Sequence, residues 1–304
     1  MKSIFVYNPE SGKGKIDKYK DYILNKLSEK YGEIECVKTT YAGHAHDLAK
    51  EAISKYDYFF VAGGDGTLNE VINGFGDSPN KPIVGYIPSG TVNDIARSLK
   101  ISRNIKKAVK NLLNGEPFEH DIFKVNRRYG IYVCCTGLFT KSSYDTERYN
   151  KKKYGKLAYF KKGLKDLKKS KPLPIELTIG DEVVKKECDL VLIFNSKSVA
   201  GFQINKHASL CDGEVEIVLF HANKKHHLLP GVSNILHAFT FGINSMKNNP
   251  HVTYRSASSF NIKTEEGTVI NLDGEKSEEG SFNFKVINKA VKIIAPKQKS
   301  EKNN

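Results

Sequence analysis

Residues 63–69, Gly-Gly-Asp-Gly-Thr-Leu-Asn, have the composition of a turn that binds an anion. They follow an apolar run over residues 58–62, which predicts a buried strand, and they precede residues 70–74, which predict a helix. Three glycines in four positions let the backbone approach a ligand closely. Because the first N–H groups of a helix have no partner within the helix, this arrangement suits a phosphate.

Asp65 places a carboxylate inside this turn, where it would repel a phosphate unless a cation or a donor network lay between the two charges. The alternative interpretation is an ordinary strand-to-helix turn in which Asp65 and Thr67 cap the helix. A lone glycine-rich turn is a common feature. Its function therefore has to be judged together with the other motifs of the chain.

Two further turns have a similar composition. Residues 8–15, Asn-Pro-Glu-Ser-Gly-Lys-Gly-Lys, combine glycines with hydroxyl and cationic donors, but they lack the spacing of a P-loop. Residues 88–94, Pro-Ser-Gly-Thr-Val-Asn-Asp, offer the Ser89 and Thr91 hydroxyls to a phosphate. Asp94 could organise water and Mg²⁺, or it could simply cap the next helix. Three such turns after three predicted strands favour a nucleotide site over chance.

Strand and helix signals alternate over residues 1–121, which predicts an α/β domain with a doubly wound, mostly parallel sheet. Sheets of this type bind ligands beyond the carboxyl ends of their strands, where the three turns fall. The predicted strands are residues 3–7, 34–39, 58–62 and 83–87, and the predicted helices are 17–31, 45–55, one from 68, 93–99 and 104–114.

Strand signals dominate residues 122–296, which predicts a second, mostly-β sandwich domain whose C-terminal segment is a candidate to return to the first domain. Helical signals interrupt it at residues 148–171 and 226–239. The predicted strands are residues 122–125, 130–136, 175–179, 190–195, 215–220, 260–263, 269–272, 282–287 and 291–295.

Two acidic turns lie in this second half. Residues 209–214, Ser-Leu-Cys-Asp-Gly-Glu, precede one predicted strand, and residues 271–275, Asn-Leu-Asp-Gly-Glu, follow another. Asp-Gly pairs are also ordinary hairpin signals. Composition alone therefore does not separate a metal site from a structural turn.

The chain of 304 residues carries a formal net charge of +14, which favours an anionic partner. Residues 148–171 hold eleven Lys/Arg and one acidic residue, with apolar residues at helical spacing. Such a helix could lie on an anionic membrane, or its apolar stripe could pack on its own domain.

Five cysteines match no zinc or redox spacing, and no apolar run approaches the length of a membrane span. The first residues also lack the apolar region of a signal peptide. We therefore expect a cytoplasmic protein, peripherally associated with a membrane.

The motifs Asn-Pro-x-Ser-Gly, Gly-Gly-Asp-Gly-Thr-Leu-Asn-Glu-Val, Pro-x-Gly-Thr-Val-Asn-Asp, Asp-Gly and Leu-Asp-Gly-Glu occur in one order. In this order the chain resembles the soluble bacterial diacylglycerol kinase family and its lipid-kinase relatives over roughly residues 2–296. The glycine turn alone is shared with NAD kinases, so it implies only an NAD-kinase-like first domain. The combination of the glycine turn with Gly-Thr-Val-Asn-Asp and the late Asp-Gly-Glu is specific to the lipid-kinase branch.

The resemblance implies a site. Glu275 would be the catalytic base, with Asp273 beside it. Ser209, Asp212 and the backbone of Glu214 would bind a structural Mg²⁺, and Asp65 and Asp94 would join a water-linked metal network with Asp212. Thr39 is preferred to its neighbour Thr40 by its spacing to Gly43. The implied ATP-binding residues are Asn8, Pro9, Glu10, Ser11, Gly12, Thr39, Gly63, Gly64, Asp65, Gly66, Thr67, Leu68, Asn69 and Thr91.

The function expected from this resemblance is an ATP- and Mg²⁺-dependent lipid kinase that converts diacylglycerol to phosphatidic acid. Phosphatidylglycerol, a sphingoid base and an undecaprenol-type alcohol are alternative acceptors, and a homodimer is an option. A soluble NAD-kinase-like enzyme would need an Asn-Asn-Glu motif in the second half, which is not found. A nucleic-acid binder would leave the acidic turns unexplained, so we expect no nucleic-acid partner.

Overall fold

The computed structural model describes residues 1–137, 171–222 and 230–297. The predicted basic helix over residues 148–171 lies outside the described residues, apart from Lys171. The chain divides into two compact units. The first unit is Met1–His120 together with residues 289–297, and the second unit is Asp121–Asn288.

The first unit is an α/β structure with a parallel sheet. The strands have the order β2-β1-β3-β4, and the last part of a long strand, β15 (Phe282–Ala295), pairs with β4, also in parallel. The predicted α/β class is confirmed. The strands are β1 (Ser3–Tyr7), β2 (Ile34–Lys38), β3 (Tyr58–Gly63) and β4 (Ile83–Pro88), and the helices are α1 (Lys15–Tyr31), α2 (His44–Ala52), α3 (Asp65–Phe75), α4 (Asp94–Ser98) and α5 (Ile105–Asn114).

The core of this unit follows from the apolar pattern of its elements. All five residues of β1 are buried, as expected for a central parallel strand covered on both faces. Helix α1 buries Ile16, Ile23 and Leu27 at helical spacing, and these side chains share a cluster with Leu112 of α5. Helices α1 and α5 thus pack together against the sheet, and α2 packs on α3.

The start of α3 differs from the prediction. The helix begins at Asp65, not at Leu68, because Gly64 is extended and the Leu68 N–H already donates to the Gly64 carbonyl at 3.1 Å. Gly66 therefore lies inside the first helical turn, although glycine disfavours helices. Gly63 is the last residue of β3, so only Gly64 lies between the strand and the helix.

The second unit is mostly antiparallel β-structure. Hydrogen-bonded neighbours follow the order β14-β13-β7-β9-β8-β12-β15, β10 pairs with β9 and β11, and β5 pairs with β6 and β15. One helix is described, α6 (Pro230–Phe241), followed by a 3-10 turn, Ile243–Met246. The strands are β5 (Glu116–Val125), β6 (Arg128–Gly130), β7 (Val133–Gly137), β8 (Leu173–Ile179), β9 (Glu182–Phe194), β10 (Val215–His221), β11 (Val252–Ala257), β12 (Ser259–Lys263), β13 (Val269–Leu272), β14 (Glu275–Glu279) and β15 (Phe282–Ala295).

Two strand predictions are corrected. Residues 282–287 and 291–295 form the single strand β15, which passes from the second unit to the first between Asn288 and Lys289. Its polar middle looks like a turn in the sequence, and Lys289 has φ 50°, but the strand continues past it. Residues 130–136 instead divide into β6 and β7.

No helix among the described residues has both the length and the apolar content needed to cross a bilayer.

A partly buried acid of β9, Asp189, makes the stability of the protein depend on pH. Burial raises the pKa of Asp189 to about 6. Because the folded state holds this proton more tightly than the unfolded state, the free energy of unfolding falls as pH rises from about 4 through 6. Asp189→Asn should therefore raise the free energy of unfolding at pH 7 by about 1–2 kcal/mol, after a discount for partial exposure, with little change near pH 4.

Urea unfolding at a series of pH values measures this effect. The matched control is Asp181→Asn, on the exposed turn between β8 and β9. This control should leave the pH dependence as in the wild type. Parallel stability curves for wild type and Asp189→Asn would contradict the assignment.

Candidate active site

The sheet register of the first unit brings the predicted turns together. Tyr7 of β1 lies opposite Lys38 of β2 and Ala62 of β3, and Gly63 lies opposite Pro88 of β4. Hydrogen bonds continue this row beyond the strands, from Thr39 N–H to the Tyr7 carbonyl (2.9 Å) and from Ser89 N–H to the Gly63 carbonyl (2.8 Å). Adjacent strands are about 4.8 Å apart. The carboxyl ends of four strands therefore form one edge.

The turns after β1 and β4 touch each other. Gly12 has φ 62°, and a Cβ at this position would lie 2.6 Å from the Ser89 carbonyl oxygen. The Ser89 hydroxyl donates to the Ser11 hydroxyl oxygen at 2.8 Å. Glycine is required at position 12 both for its backbone angle and for this approach.

The turns after β3 and β4 are also in contact. The Asn93 side chain forms a ring with Gly90: its Oδ1 accepts from the Gly90 N–H (3.0 Å) and its Nδ2 donates to the Gly90 carbonyl (2.7 Å). Tyr86 donates to the Gly63 carbonyl or to Asn93 Oδ1, each at 3.3 Å. The Asn93 side chain thus closes the turn after β4.

Gly64 and Gly90 meet at this contact, and only Gly64 has room for a side chain. A Cβ on Gly90 would lie 2.6 Å from Gly64 Cα, whereas a Cβ on Gly64 would lie 3.4 Å from Gly90 Cα, an ordinary contact. Gly90→Ala should lower the free energy of unfolding by about 1–3 kcal/mol through overpacking against backbone.

Chemical denaturation compares the two variants. Gly64→Ala is the matched control, since Gly64 has φ −89°, which alanine adopts without strain. It should stay close to the wild type. If both variants lost the same free energy of unfolding, the close contact between the Gly64 and Gly90 backbones would not explain the loss in Gly90→Ala.

Helix α3 directs its amino terminus toward this edge. Asp65 is its first residue, and the N–H groups of the first turn have no acceptor inside the helix. Leu68 and Asn69 are buried on its inner side, where the Asn73 amide donates to the Asn69 carbonyl at 3.0 Å.

The two acids predicted for the metal network lie in one neighbourhood. Tyr86 is fully buried, which raises its pKa well above the ordinary value, and the negative charges of Asp65 and Asp94 raise it further. Asp94 is itself buried, while Asp65 is partly exposed. The first unit thus holds both carboxylates close to the same phenol.

The remaining predicted nucleotide residues have distinct environments. Thr39 is buried directly after β2, whereas Thr40 is exposed, and its N–H donates to His44 Nδ1 at 3.1 Å. Asn8 Oδ1 accepts from the Glu10 N–H at 2.9 Å and shapes the first turn. Thr91 is exposed, and its carbonyl accepts from Arg103 at 3.0 Å.

In the second unit, Glu275 and Asp273 have different environments on one hairpin. Asp273 and Gly274 form the two-residue turn between β13 and β14, with φ of 52° and 89°, as a tight hairpin requires. Glu275, the first residue of β14, is exposed. Asp273 is only 3% exposed, and its carboxylate accepts from the N–H groups of Ile131, Tyr132 and Val133 at 2.7–3.0 Å.

The three backbone bonds determine what Asp273 does. A carboxylate that accepts several backbone N–H groups is strongly bound in place. Asp273 thereby ties the hairpin to the segment before β7. Glu275 follows this turn directly, so the backbone hydrogen bonds of Asp273 also fix the position of Glu275.

The predicted metal residues lie on the turn before β10. Asp212 Oδ1 accepts from the Glu214 N–H at 3.2 Å, and Ser209 and Asp212 are both exposed. Their donors, a hydroxyl, a carboxylate and the Glu214 carbonyl, are all oxygen, which is the ligand type that Mg²⁺ prefers. The residue types therefore fit Mg²⁺. In the part of the chain that the structure describes, no three His, Cys, Asp or Glu residues gather as a metal cluster.

Asp121 holds this turn and was missed in the sequence. Its carboxylate is buried and accepts from the Gly213 N–H (2.7 Å) and from Asn288 Nδ2 (3.1 Å). The Asn288 amide also donates to the Cys211 carbonyl at 3.3 Å. The only available signal was an acidic residue directly before a predicted buried strand.

Comparison with known proteins matches both halves of the chain. The model of the diacylglycerol kinase catalytic domain matches residues 2–125, and that of the YegS C-terminal NAD kinase beta sandwich-like domain matches residues 135–295. A diacylglycerol kinase of Bacillus subtilis (strain 168) is 33% identical over 300 residues, which are 97% of each chain. One from Staphylococcus epidermidis is 33% identical over 96% of this chain and 91% of its own.

Two solved structures from Bacillus anthracis str. Sterne share the fold. One has a TM-score of 0.83 at 24% identity and covers 97% of this chain and 95% of its own. The other, of a diacylglycerol kinase, has a TM-score of 0.79 at 22% identity and covers 97% of both chains. At these identities the likeness concerns the fold, and it agrees with the predicted α/β domain and β sandwich.

Proposed function

This chain belongs to the diacylglycerol kinase family, a family of phosphotransferases with an alcohol acceptor, and we propose that it phosphorylates diacylglycerol to phosphatidic acid. The family resemblance predicted from the sequence is thereby confirmed. A kinase family implies ATP as the phosphate donor. We further propose that the reaction depends on Mg²⁺ and takes place at an anionic membrane surface.

The observation that supports this proposal most strongly is the meeting of three glycine turns at one sheet edge. In the order β2-β1-β3-β4, the chain turns to opposite sides of β1, so a switch point lies between β1 and β3. Ligands of doubly wound sheets bind at such points, outside the carboxyl ends of the strands. The turns after β1 and β3 flank this point, and the turn after β4 touches both.

The proposed nucleotide site uses these turns. The first N–H groups of α3 would bind the phosphates, with the Ser11 and Thr91 hydroxyls as further donors. Thr39 would contribute beside Asn8, which is its neighbour in the row of strand ends.

The proposed catalytic groups are carboxylates. Mg²⁺, when bound, would neutralise charge on the phosphates. Ser209, Asp212 and the Glu214 carbonyl would hold a structural Mg²⁺, and, as the family resemblance implies, Asp65 and Asp94 would belong to a water-linked metal network with Asp212. Glu275 would accept the proton of the acceptor hydroxyl as its oxygen attacks the γ-phosphate. We assign Asp273 to positioning, since its oxygens are already bound to backbone N–H groups.

The test is product identification. The purified protein is incubated with γ-labelled ATP, Mg²⁺ and diacylglycerol in mixed micelles, and the labelled lipid is separated. Phosphatidic acid as the main product supports the proposal. The controls are parallel reactions with phosphatidylglycerol, a sphingoid base, an undecaprenol-type alcohol and NAD. If any of these compounds were labelled faster than diacylglycerol, that compound would be the preferred acceptor.

A further inference from the structure

Helix α6 is apolar on the side that faces its own unit. Ile235, Ala238 and Phe239 are buried, and the Phe239 ring packs edge-on against Phe202 with centroids 5.7 Å apart. The Gly242 N–H ends the helix by donating to the Ala238 carbonyl at 2.9 Å. This inner face anchors α6 and needs no further partner.

The opposite face of α6 is exposed, carries no carboxylate or ammonium group, and includes two large apolar side chains. Phe241 is 71% exposed and Leu236 is 39% exposed. The His237 ring lies against Phe241, with centroids 4.6 Å apart. At 3.6 residues per turn the exposed residues form a single stripe. We call this stripe the outer face of α6; it consists of Ser233, Leu236, His237, Thr240 and Phe241.

A helix that is apolar on its inner side and free of charge on its outer side is unusual at a water-exposed surface. Surface helices normally oppose an apolar stripe with charged residues. Helices that lie in the boundary of a bilayer instead expose Phe and Leu, with cationic residues beside them. The outer face of α6 corresponds to the second type.

The segment of sequence that carries this face has charges of one sign only. Residues 217–264 contain no Asp or Glu, five Lys or Arg, and five of the nine histidines of the chain. Lys247 is exposed and comes directly after the 3-10 turn that follows α6. Its ammonium group lies over the Tyr254 ring, 4.9 Å from the ring centroid. The Asn249 amide donates to Asn234 Oδ1 at 3.0 Å, so the segment that carries Lys247 returns to the helix. Arg255 and Lys263 form ion pairs with Glu182 and Glu176, so Lys247 is the described cation that lies beside the outer face.

We propose that the outer face of α6, with Lys247 at its side, docks on an anionic phospholipid bilayer, with Phe241 and Leu236 inserted at the level of the headgroups. Apolar insertion and attraction to anionic lipid add to each other at such sites. The inference rests on the proposed function in one respect, namely that the acceptor of a lipid kinase resides in a bilayer. It assigns to α6 a role that the basic segment 148–171 alone was expected to have.

A second copy of this chain is the less favourable occupant. Two identical outer faces would bring two Lys247 side chains together, without an acidic residue from residues 217–264 to pair with them. A stable interface also needs roughly 800 Å² per partner, usually with several buried anchors, whereas this stripe has two large apolar side chains. An anionic bilayer satisfies both the charge and the apolar groups.

The absence of tryptophan from the chain allows a direct test. Phe241→Trp introduces a single reporter on the outer face. Val183→Trp, at an apolar residue that is 52% exposed elsewhere on the second unit, is the matched control. Each full-length protein is titrated with vesicles of phosphatidylglycerol and phosphatidylcholine in equal parts, and with pure phosphatidylcholine vesicles.

The expected result is a blue shift of the Phe241→Trp emission with anionic vesicles only, and no shift for Val183→Trp. A quencher attached to the lipid chains should reduce the emission of Phe241→Trp alone. Unchanged emission of Phe241→Trp with anionic vesicles would overturn the proposal. So would an emission that is already blue-shifted without vesicles and depends on protein concentration, because a second copy would then cover the face.

A second variant keeps the test independent of the reporter. Leu236→Ser/Phe241→Ser alters exposed positions only, so the thermal unfolding transition should stay near that of the wild type. Its partition to anionic vesicles should weaken at least tenfold, measured by flotation. Flotation equal to that of the wild type would overturn the proposal.

The experiments test docking and the identity of the acceptor separately. Flotation and fluorescence need no turnover, so they report docking even if diacylglycerol is not the acceptor. With a short-chain diacylglycerol that dissolves in water, Leu236→Ser/Phe241→Ser should phosphorylate at the wild-type rate. With diacylglycerol in anionic vesicles, its rate should fall by the factor found in flotation. If the rate of this variant fell equally with both substrates, the two residues would be needed for folding or for the active site. That result would overturn the docking proposal.

Discussion

Glu275→Gln should lose most phosphoryl transfer while the protein folds normally. Glutamine keeps the size of the side chain and its hydrogen-bonding oxygen but cannot accept the proton of the acceptor hydroxyl. A general base typically contributes about 10²–10⁴-fold to the rate, so kcat should fall within this range. Since Glu275 is exposed at the first position of β14, its replacement buries no unpaired group. The unfolding transition should be unchanged.

Glu279→Gln is the control for this variant, because Glu279 lies at the far end of the same strand and is also exposed. It loses only a surface ion pair with Lys276, and such pairs contribute little. Steady-state kinetics with saturating ATP separates the two variants. A near-wild-type kcat for Glu275→Gln would remove Glu275 from the role of base.

Asp65→Asn should lower the rate by about 10–100-fold and raise the Mg²⁺ concentration needed for half-maximal activity, as for groups that act on a metal through other ligands. The physical reason is the position of Asp65 at the start of α3. A carboxylate beside the phosphates is repulsive on its own, and it becomes favourable only with a cation in between. Asparagine removes the charge and keeps the shape.

Asp17→Asn is the matched control, since Asp17 lies in the first turn of α1 as Asp65 does in α3. Both changes remove a favourable charge at a helix amino terminus, which costs only about 0.3–1 kcal/mol of stability. Activity is measured over a Mg²⁺ titration. If Asp65→Asn kept the wild-type rate and Mg²⁺ dependence, Asp65 would not belong to the metal network.

Local patterns in the sequence were sufficient for most of the first unit. The apolar run before residue 63 gave a correct strand, because a central parallel strand is buried on both faces and has to be apolar. The position of the three turns at one edge also followed, since all strands of a parallel sheet end on the same side. The start of α3 did not follow, because the preference of glycine for turns outweighed the helical geometry that Gly66 adopts.

In the second unit the elements were more predictable than their contacts. The hairpin at Asp273 and Gly274 could be recognised from its Asp-Gly pair. The burial of Asp273 could not, because the three N–H groups that it binds lie about 140 residues earlier in the chain. The same holds for Asp121, whose partners Gly213 and Asn288 are 92 and 167 residues away.

The sequence alone determined the family, the two structural classes and the order of the motifs, because these depend on short-range periodicity and on residue types within a few positions. The tertiary structure decided which of two neighbouring acids is exposed, as Glu275 is, and which is bound by backbone, as Asp273 is. It also decided that Leu236 and Phe241 on the uncharged outer face of α6 remain exposed. These outcomes depend on burial, and burial is set by segments that are distant in the chain and adjacent only after folding.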